Sequence, residues 1–204
     1  MVSHAKYLGV ILDSKMNFNK HITTICRKAN SVLALLKRNL YHCNSQIRSQ
    51  AYFLYVRPIL EYASIVWAPY TKTNIEKLES VQRRAARFVV SDYDFSSSVT
   101  SILNELKWCS LEVRRQVSRL MMFYKILQGS VALELPYEIS LIDTVTRGHN
   151  RRYQTPFSRI DIHKFSFFPA TVRLWNSSPD SVVNLDSFEA FRRSATDFLS
   201  NYNL

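Results

Sequence analysis

Glycine stands at only three of the 204 positions, Gly9, Gly129 and Gly148. Glycine supplies the left-handed backbone of tight turns and the close backbone approach that phosphate-cradling loops require. A chain this poor in glycine is therefore expected to fold into long helices with few tight turns. The P-loop and dinucleotide-binding classes are excluded with it. An apolar content of 47% over this length gives enough core for one ordinary domain or two small ones, and marks a folded chain rather than a disordered tail.

Lysine and arginine number 27 against 16 acidic residues, a net charge of +11. That excess attracts polyanions, and charge alone admits both nucleic acid and an anionic membrane surface. No apolar run approaches the roughly 18 residues of a membrane-spanning helix, and polar residues interrupt every window of the first thirty. The expectation is a soluble intracellular chain without membrane partners, nuclear or cytoplasmic being left open. Cys26, Cys43 and Cys109 have neither C-x-x-C spacing nor histidines at ligand spacing, so they read as buried free thiols.

Tyr7 to Leu12 is a β-prone run interrupted by Gly9, which predicts one short strand with no obvious partner nearby. From Asn17 the period becomes helical, with Ile22, Ile25, Cys26, Ala29, Leu33, Leu36 and Leu40 on one face. Lys20, Arg27, Lys28, Lys37 and Arg38 occupy the remainder, so this helix is expected to show a positive outer surface. Ser45 reads as the cap of a second helix that Pro58 breaks or kinks after Arg57. Ile59 to Trp67 is apolar enough to be buried throughout.

A third helix, capped by Thr73 or Asn74, carries Leu78, Val81, Gln82, Ala85 and Phe88 on one stripe and Arg83, Arg84 and Arg87 near its C-terminal end. A polar linker, 91–98, leads to a short helix and then to one from Ser110 to Gln128, ended by Gly129, with Arg114, Arg115 and Arg119 placed off its core face. Beyond Gly129, four prolines and crowded aromatics mark a second module with a short helix near Trp175 and a last amphipathic helix from Ser187. The fold class expected is mainly α. It comprises a short strand in 1–15, a helical bundle over 16–130, and a small mixed α/β or irregular module over 131–204.

Against these elements stand motifs that resemble a known family. Lys6-Tyr7-Leu8-Gly9-Val10-Ile11-Leu12-Asp13, with Phe18-x-x-His21-Ile22 after it, resembles the passage from palm to thumb in LINE-type, jockey-like non-LTR retrotransposon reverse transcriptases. Arg57-Pro58-Ile59-Leu60-Glu61-Tyr62-Ala63-Ser64-x-x-Trp67, then Leu78-Glu79-x-x-Gln82-Arg83-Arg84-Ala85-Ala86-Arg87-Phe88, then Leu111-Glu112-x-Arg114-Arg115 are similar to the family's thumb. Thr146-Arg147-Gly148-His149, Phe165-Ser166-Phe167-Phe168-Pro169 and Leu174-Trp175-Asn176-x-x-Pro179 are similar to its C-terminal segment, although Ala170 stands where the family often has a basic residue. Their order along the chain, more than any one motif, carries the resemblance.

The resemblance implies a helical thumb that holds a template–primer duplex by its backbone. It also implies that the palm carboxylates that bind two Mg²⁺ ions lie upstream of this sequence. The chain is therefore expected to have no catalytic activity, cofactor or small-molecule substrate of its own, and to bind RNA or an RNA–DNA duplex. The candidate contacts are Lys20, Arg27, Lys28, Lys37, Arg83, Arg84 and Arg87. In the second module they are Arg147, His149, Arg151, Arg152 and Tyr153, where cations mix with rings as in single-stranded RNA binders. Asp92-Tyr93-Asp94 has alternating carboxylates, but its serine-rich setting reads as a solvated loop and not a metal site. Beside these stand the plain readings: helical cations as a solvated face, and Tyr62, Trp67, Trp108, Phe165, Phe167, Phe168, Trp175, Phe188 and Phe191 as core. At the level of the whole chain the alternatives are a non-functional relic or helical protein-interaction module, and a part of a longer active polymerase.

Overall fold

The computed structural model describes residues 4–94, 96–142 and 148–202. The chain is mainly helical and divides into two compact units, Met1–Glu112 and Val113–Leu204. The compositional change after Gly129 lies inside the second unit.

The first unit opens with a hairpin of two antiparallel strands, β1 (His4–Tyr7) and β2 (Val10–Asp13), with Tyr7 opposite Val10 and His4 opposite Asp13. The single strand expected over Tyr7 to Leu12 thus folds back on itself at Leu8-Gly9, and its partner is the segment just before it. Both turn residues have positive φ, 43° and 85°, the requirement of a two-residue hairpin loop whose twist matches its strands. Tyr62 lies over this turn: its hydroxyl donates to Leu8 O at 3.0 Å, and a Cβ on Gly9 would stand 3.2 Å from its ring.

Helix α1 (Asn19–Asn39) buries His21, Ile22, Cys26, Ala29 and Leu33, the stripe that its apolar period dictates. His21 ties the hairpin to this helix, because its Nδ1 accepts from Ile11 N at 3.3 Å while its ring stands edge-on to Trp67 at 5.1 Å. Asn44, one residue ahead of the expected cap, accepts from Ile47 N at 2.9 Å and starts α2 (Ser45–Ala51).

Pro58 does not break the chain after Arg57. A π-helical turn, Tyr52–Val56, precedes α3 (Arg57–Glu61), and Arg57 N donates five residues back to Tyr52 O. The wider turn removes the i→i−4 bond that proline cannot make, and helical direction continues through it. Ala63, at φ 51°, then separates α3 from α4 (Ser64–Trp67). This segment is not buried throughout: Leu60, Ser64 and Trp67 face inward, while Tyr62 and Val66 are exposed.

Helix α5 (Lys72–Val90) packs along α1 and buries Leu78, Val81, Gln82, Ala85 and Phe88 as its stripe predicts. After α6 (Val99–Glu105), capped by Ser98, Trp108 stacks on Tyr52 at 4.4 Å. Helix α7 (Leu111–Leu127) begins on α5: Glu79 accepts from Leu111 N at 3.2 Å and Glu112 N at 2.8 Å. Gln82, one turn later, accepts from Tyr52 Oη at 3.1 Å and donates to Cys109 O at 2.9 Å.

In the second unit α7 runs on to Gly129, whose φ of 65° ends it. Helices α8 (Asp161–Lys164), α9 (Phe167–Ser177), α10 (Asp180–Val183) and α11 (Phe188–Tyr202) follow, with one isolated antiparallel bridge between Leu141 and Tyr153. The core gathers Val117, Leu120, Phe123, Val172, Trp175, Phe191 and Leu199. Trp175 Nε1 donates to Arg151 O at 2.7 Å, and the neighbouring Asn176 bonds both the N–H and the carbonyl of Tyr153. Trp175 and Phe191 are core as expected, whereas Phe165, Phe167, Phe168 and Phe188 are half-buried. Arg115, expected off the core face of α7, is only 4% exposed.

Candidate nucleic-acid interface

Two helices packed side by side leave a furrow between their outward edges, and the residues bordering it are fixed by helical phase. Between α1 and α5 this furrow is an open groove of about 570 Å³. Thr23, Arg27, Asn30 and Ser31 from α1, with Lys77, Ser80 and Arg84 from α5, give it a polar, cationic wall. Cys26 and Ala34 add apolar lining, and no carboxylate lines it among the described residues. Arg84 is oriented by Asn30 Oδ1 at 2.7 Å and Ser80 Oγ at 3.3 Å. Those two bonds use two of the five N–H donors that a guanidinium carries, and the others remain for a ligand.

The nominated cations of the first unit separate into distinct positions. Arg27 and Arg84 meet across the groove. Lys37, half-buried, lies 5.4 Å from the Tyr93 ring; burial and then the charge of Arg84 hold its ammonium below the usual lysine range. Lys20 and Lys28 are exposed on α1 outside the groove lining. Arg83 pairs with Glu76. Arg87 turns away, donating to Asp94 O at 2.7 Å and Ser97 O at 2.9 Å, so it braces the backbone at those two residues. The three arginines lie within five residues of one another in sequence and diverge in space.

Two cations that pattern reading did not single out complete the picture. Lys77 lines the groove from the second turn of α5. Arg48 links the C-terminal ends of α1 and α5, donating to Leu40 O at 3.1 Å and to Phe88 O at 3.2 Å, where helix dipoles favour a cation. Lys77 carries no sequence signal beyond its phase on α5, and Arg48 none, since its partners lie on two other helices.

The Asp92-Tyr93-Asp94 segment is an ordered turn in which each carboxylate accepts a backbone N–H two residues on, at 2.9 Å in both cases. The Ser97 hydroxyl and the Asp94 amide hold the Asp92 carboxyl below its ordinary pKa, and Ser96 does the same for Asp94. Among the described residues no group of three or more His, Cys, Asp or Glu side chains is placed to hold a metal ion, and no helix is long and apolar enough to cross a membrane.

In the second unit Arg147 lies outside the described residues. His149 is buried, with Nε2 3.0 Å from Trp175 O and Nδ1 accepting from Arg151 N at 3.2 Å, so its ring braces the unit. Tyr153 is half-buried and edge-on to Phe123 at 5.6 Å, and burial pushes its hydroxyl pKa up. Arg152 is half-buried beside Gly148, and Arg151 is exposed while donating to Val183 O at 3.3 Å. The exposed ring of this stretch is Phe157, at 83%.

No family model and no solved structure matches the chain. Among curated proteins it is similar to two probable RNA-directed DNA polymerases of Drosophila melanogaster. That of transposon BS is 27% identical over 120 residues, 57% of this chain, and that of transposon X-element is 25% identical over 122 residues, 56% of this chain. The matched region is 13% of the length of either polymerase. An uncharacterized protein of Caenorhabditis elegans is 28% identical over 123 residues, 60% of this chain and 62% of that protein. Over a little more than half of its length, this chain is similar to probable RNA-directed DNA polymerases from transposons.

Proposed function

We propose that the chain is a thumb-like segment of a LINE-type, jockey-like reverse transcriptase, and that its role is to hold nucleic acid by the backbone. The α1–α5 groove grips the phosphates of RNA or of an RNA–DNA duplex. One observation carries this reading: Arg27, Lys77 and Arg84 border one groove on two mutually packed helices, with no carboxylate in its lining among the described residues. Rigid helices hold the cations at fixed spacing, and phosphate contacts of this kind position a duplex without reading its sequence.

The test is fluorescence anisotropy on a labelled RNA–DNA duplex and a hairpin RNA with the full chain. Three phosphate contacts give a salt slope of about −2.7, so affinity falls roughly 40-fold more for the wild type than for Arg27→Ala/Lys77→Ala/Arg84→Ala between about 50 and 200 mM salt. Arg83→Ala, which removes a cation already paired with Glu76, leaves the slope nearly unchanged. A folded protein that binds neither ligand at low salt would sink the proposal and favour a protein-interaction role.

A further inference from the structure

Two guanidiniums in the second unit converge on consecutive carbonyls. Arg119 of α7 donates to Phe165 O at 3.2 Å, and Arg173 of α9 donates to Lys164 O. Arg115 precedes Arg119 by one turn on α7. Among the described residues neither Arg119 nor Arg173 has a carboxylate partner. Arg119 bears the cost: burial first, then the charges of Arg115 and Arg173, pull its pKa down to about 10, so it remains cationic at neutral pH. Its Nε–H is buried and meets no acceptor among the described residues, a state that is expensive for a charged donor.

Lys164 and Arg173 of the cluster reach solvent. Lys164 Nζ and Arg173 Cζ lie 5.4 and 6.0 Å from the centre of the Phe165 ring, and Lys164 is exposed. An anion entering beside them would meet lysine and Arg173 before Arg119. The ring of Phe157, almost fully exposed, is anchored nearby, since Ser158 Oγ stands 2.9 Å from His163 Nδ1, next to Lys164. A cluster of cations with an exposed ring a few residues away in the chain suits a phosphate followed by a stacked base better than a carboxylate or a phosphorylated side chain.

We propose that Arg119, Arg173 and Lys164 form a phosphodiester site for single-stranded RNA, in which a phosphate oxygen takes the Arg119 Nε–H. This rests on the reading that the chain binds nucleic acid, but it places a second contact apart from the α1–α5 groove. The test follows arginine Nε–Hε resonances of the full chain during titration with a ten-nucleotide oligouridylate. The Arg119 resonance shifts and saturates, and in Arg173→Gln, a half-exposed position that leaves the core intact, saturation needs roughly tenfold more RNA. If Arg84 shifts while Arg119 stays fixed, this site is refuted and the groove stands; if neither shifts, both fall. A phosphoserine peptide that saturates Arg119 at lower concentration than the RNA would overturn the nucleic-acid assignment.

Discussion

Replacing Glu79 with alanine removes the acceptor that starts α7. The carboxylate takes the first two amides of that helix, at 3.2 and 2.8 Å, from a position on α5 32 residues earlier in the chain. Helix N-terminal amides have no intrahelical partner, and an anion there also meets the positive end of the dipole. A hydrogen bond to a charged group contributes about 1.5–3 kcal/mol, and the two share one carboxylate, so Glu79→Ala costs about 3 kcal/mol. Glu79→Gln keeps one carbonyl acceptor and loses the charge, at a cost of about half that. Urea unfolding followed by tryptophan fluorescence is the assay. With a slope near 2 kcal/mol per M, the midpoint falls by about 1.5 M for alanine and by about half as much for glutamine. An alanine variant within about 0.5 kcal/mol of wild type, or a glutamine variant worse than alanine, would refute the assignment of this residue as the cap.

His21 accepts from Ile11 N while burial holds its pKa below 6.5, so the unfolded chain takes up the proton first. Stability is therefore fully present above about pH 6.5 and declines as the pH falls below it; the urea midpoint drops from pH 7.5 to 5, and His21→Gln flattens that drop. Arg87→Ala releases the carbonyls of Asp94 and Ser97, and amide exchange at Ser96 and Ser97 accelerates roughly tenfold while the α5 core amides stay protected.

The helices were legible because each buries a stripe at helical spacing, and α1, α5 and α7 carry that stripe with little interruption. The hairpin was not, because a leucine occupies one of its two positive-φ positions and hides the turn signal that Gly9 alone gives weakly. The arginines resisted reading for a different reason. Arg83, Arg84 and Arg87 share a helix end, yet their directions depend on Glu76, on Asn30 and on the carbonyls of Asp94 and Ser97, none of which period reveals. Motif residues such as Glu79, Gln82 and Asn176 looked like family signature. In the fold they satisfy backbone and hydroxyl groups between elements, which explains why those residue types stand there.

The π turn at 52–56 contains one residue more than the α turn it replaces. Deleting that residue would return the segment to a regular α turn whose ladder is broken at Pro58, which has no N–H to donate. It would also rotate everything before it by about 100° relative to α3, since each α-helical residue turns the chain by that angle. Arg48 would swing away from Leu40 O and Phe88 O, the contacts that hold the ends of α1 and α5 together. Relatives of different length in this segment should therefore differ in pairs, with a lost residue before Pro58 accompanied by a relocated cation at the ends of the groove helices.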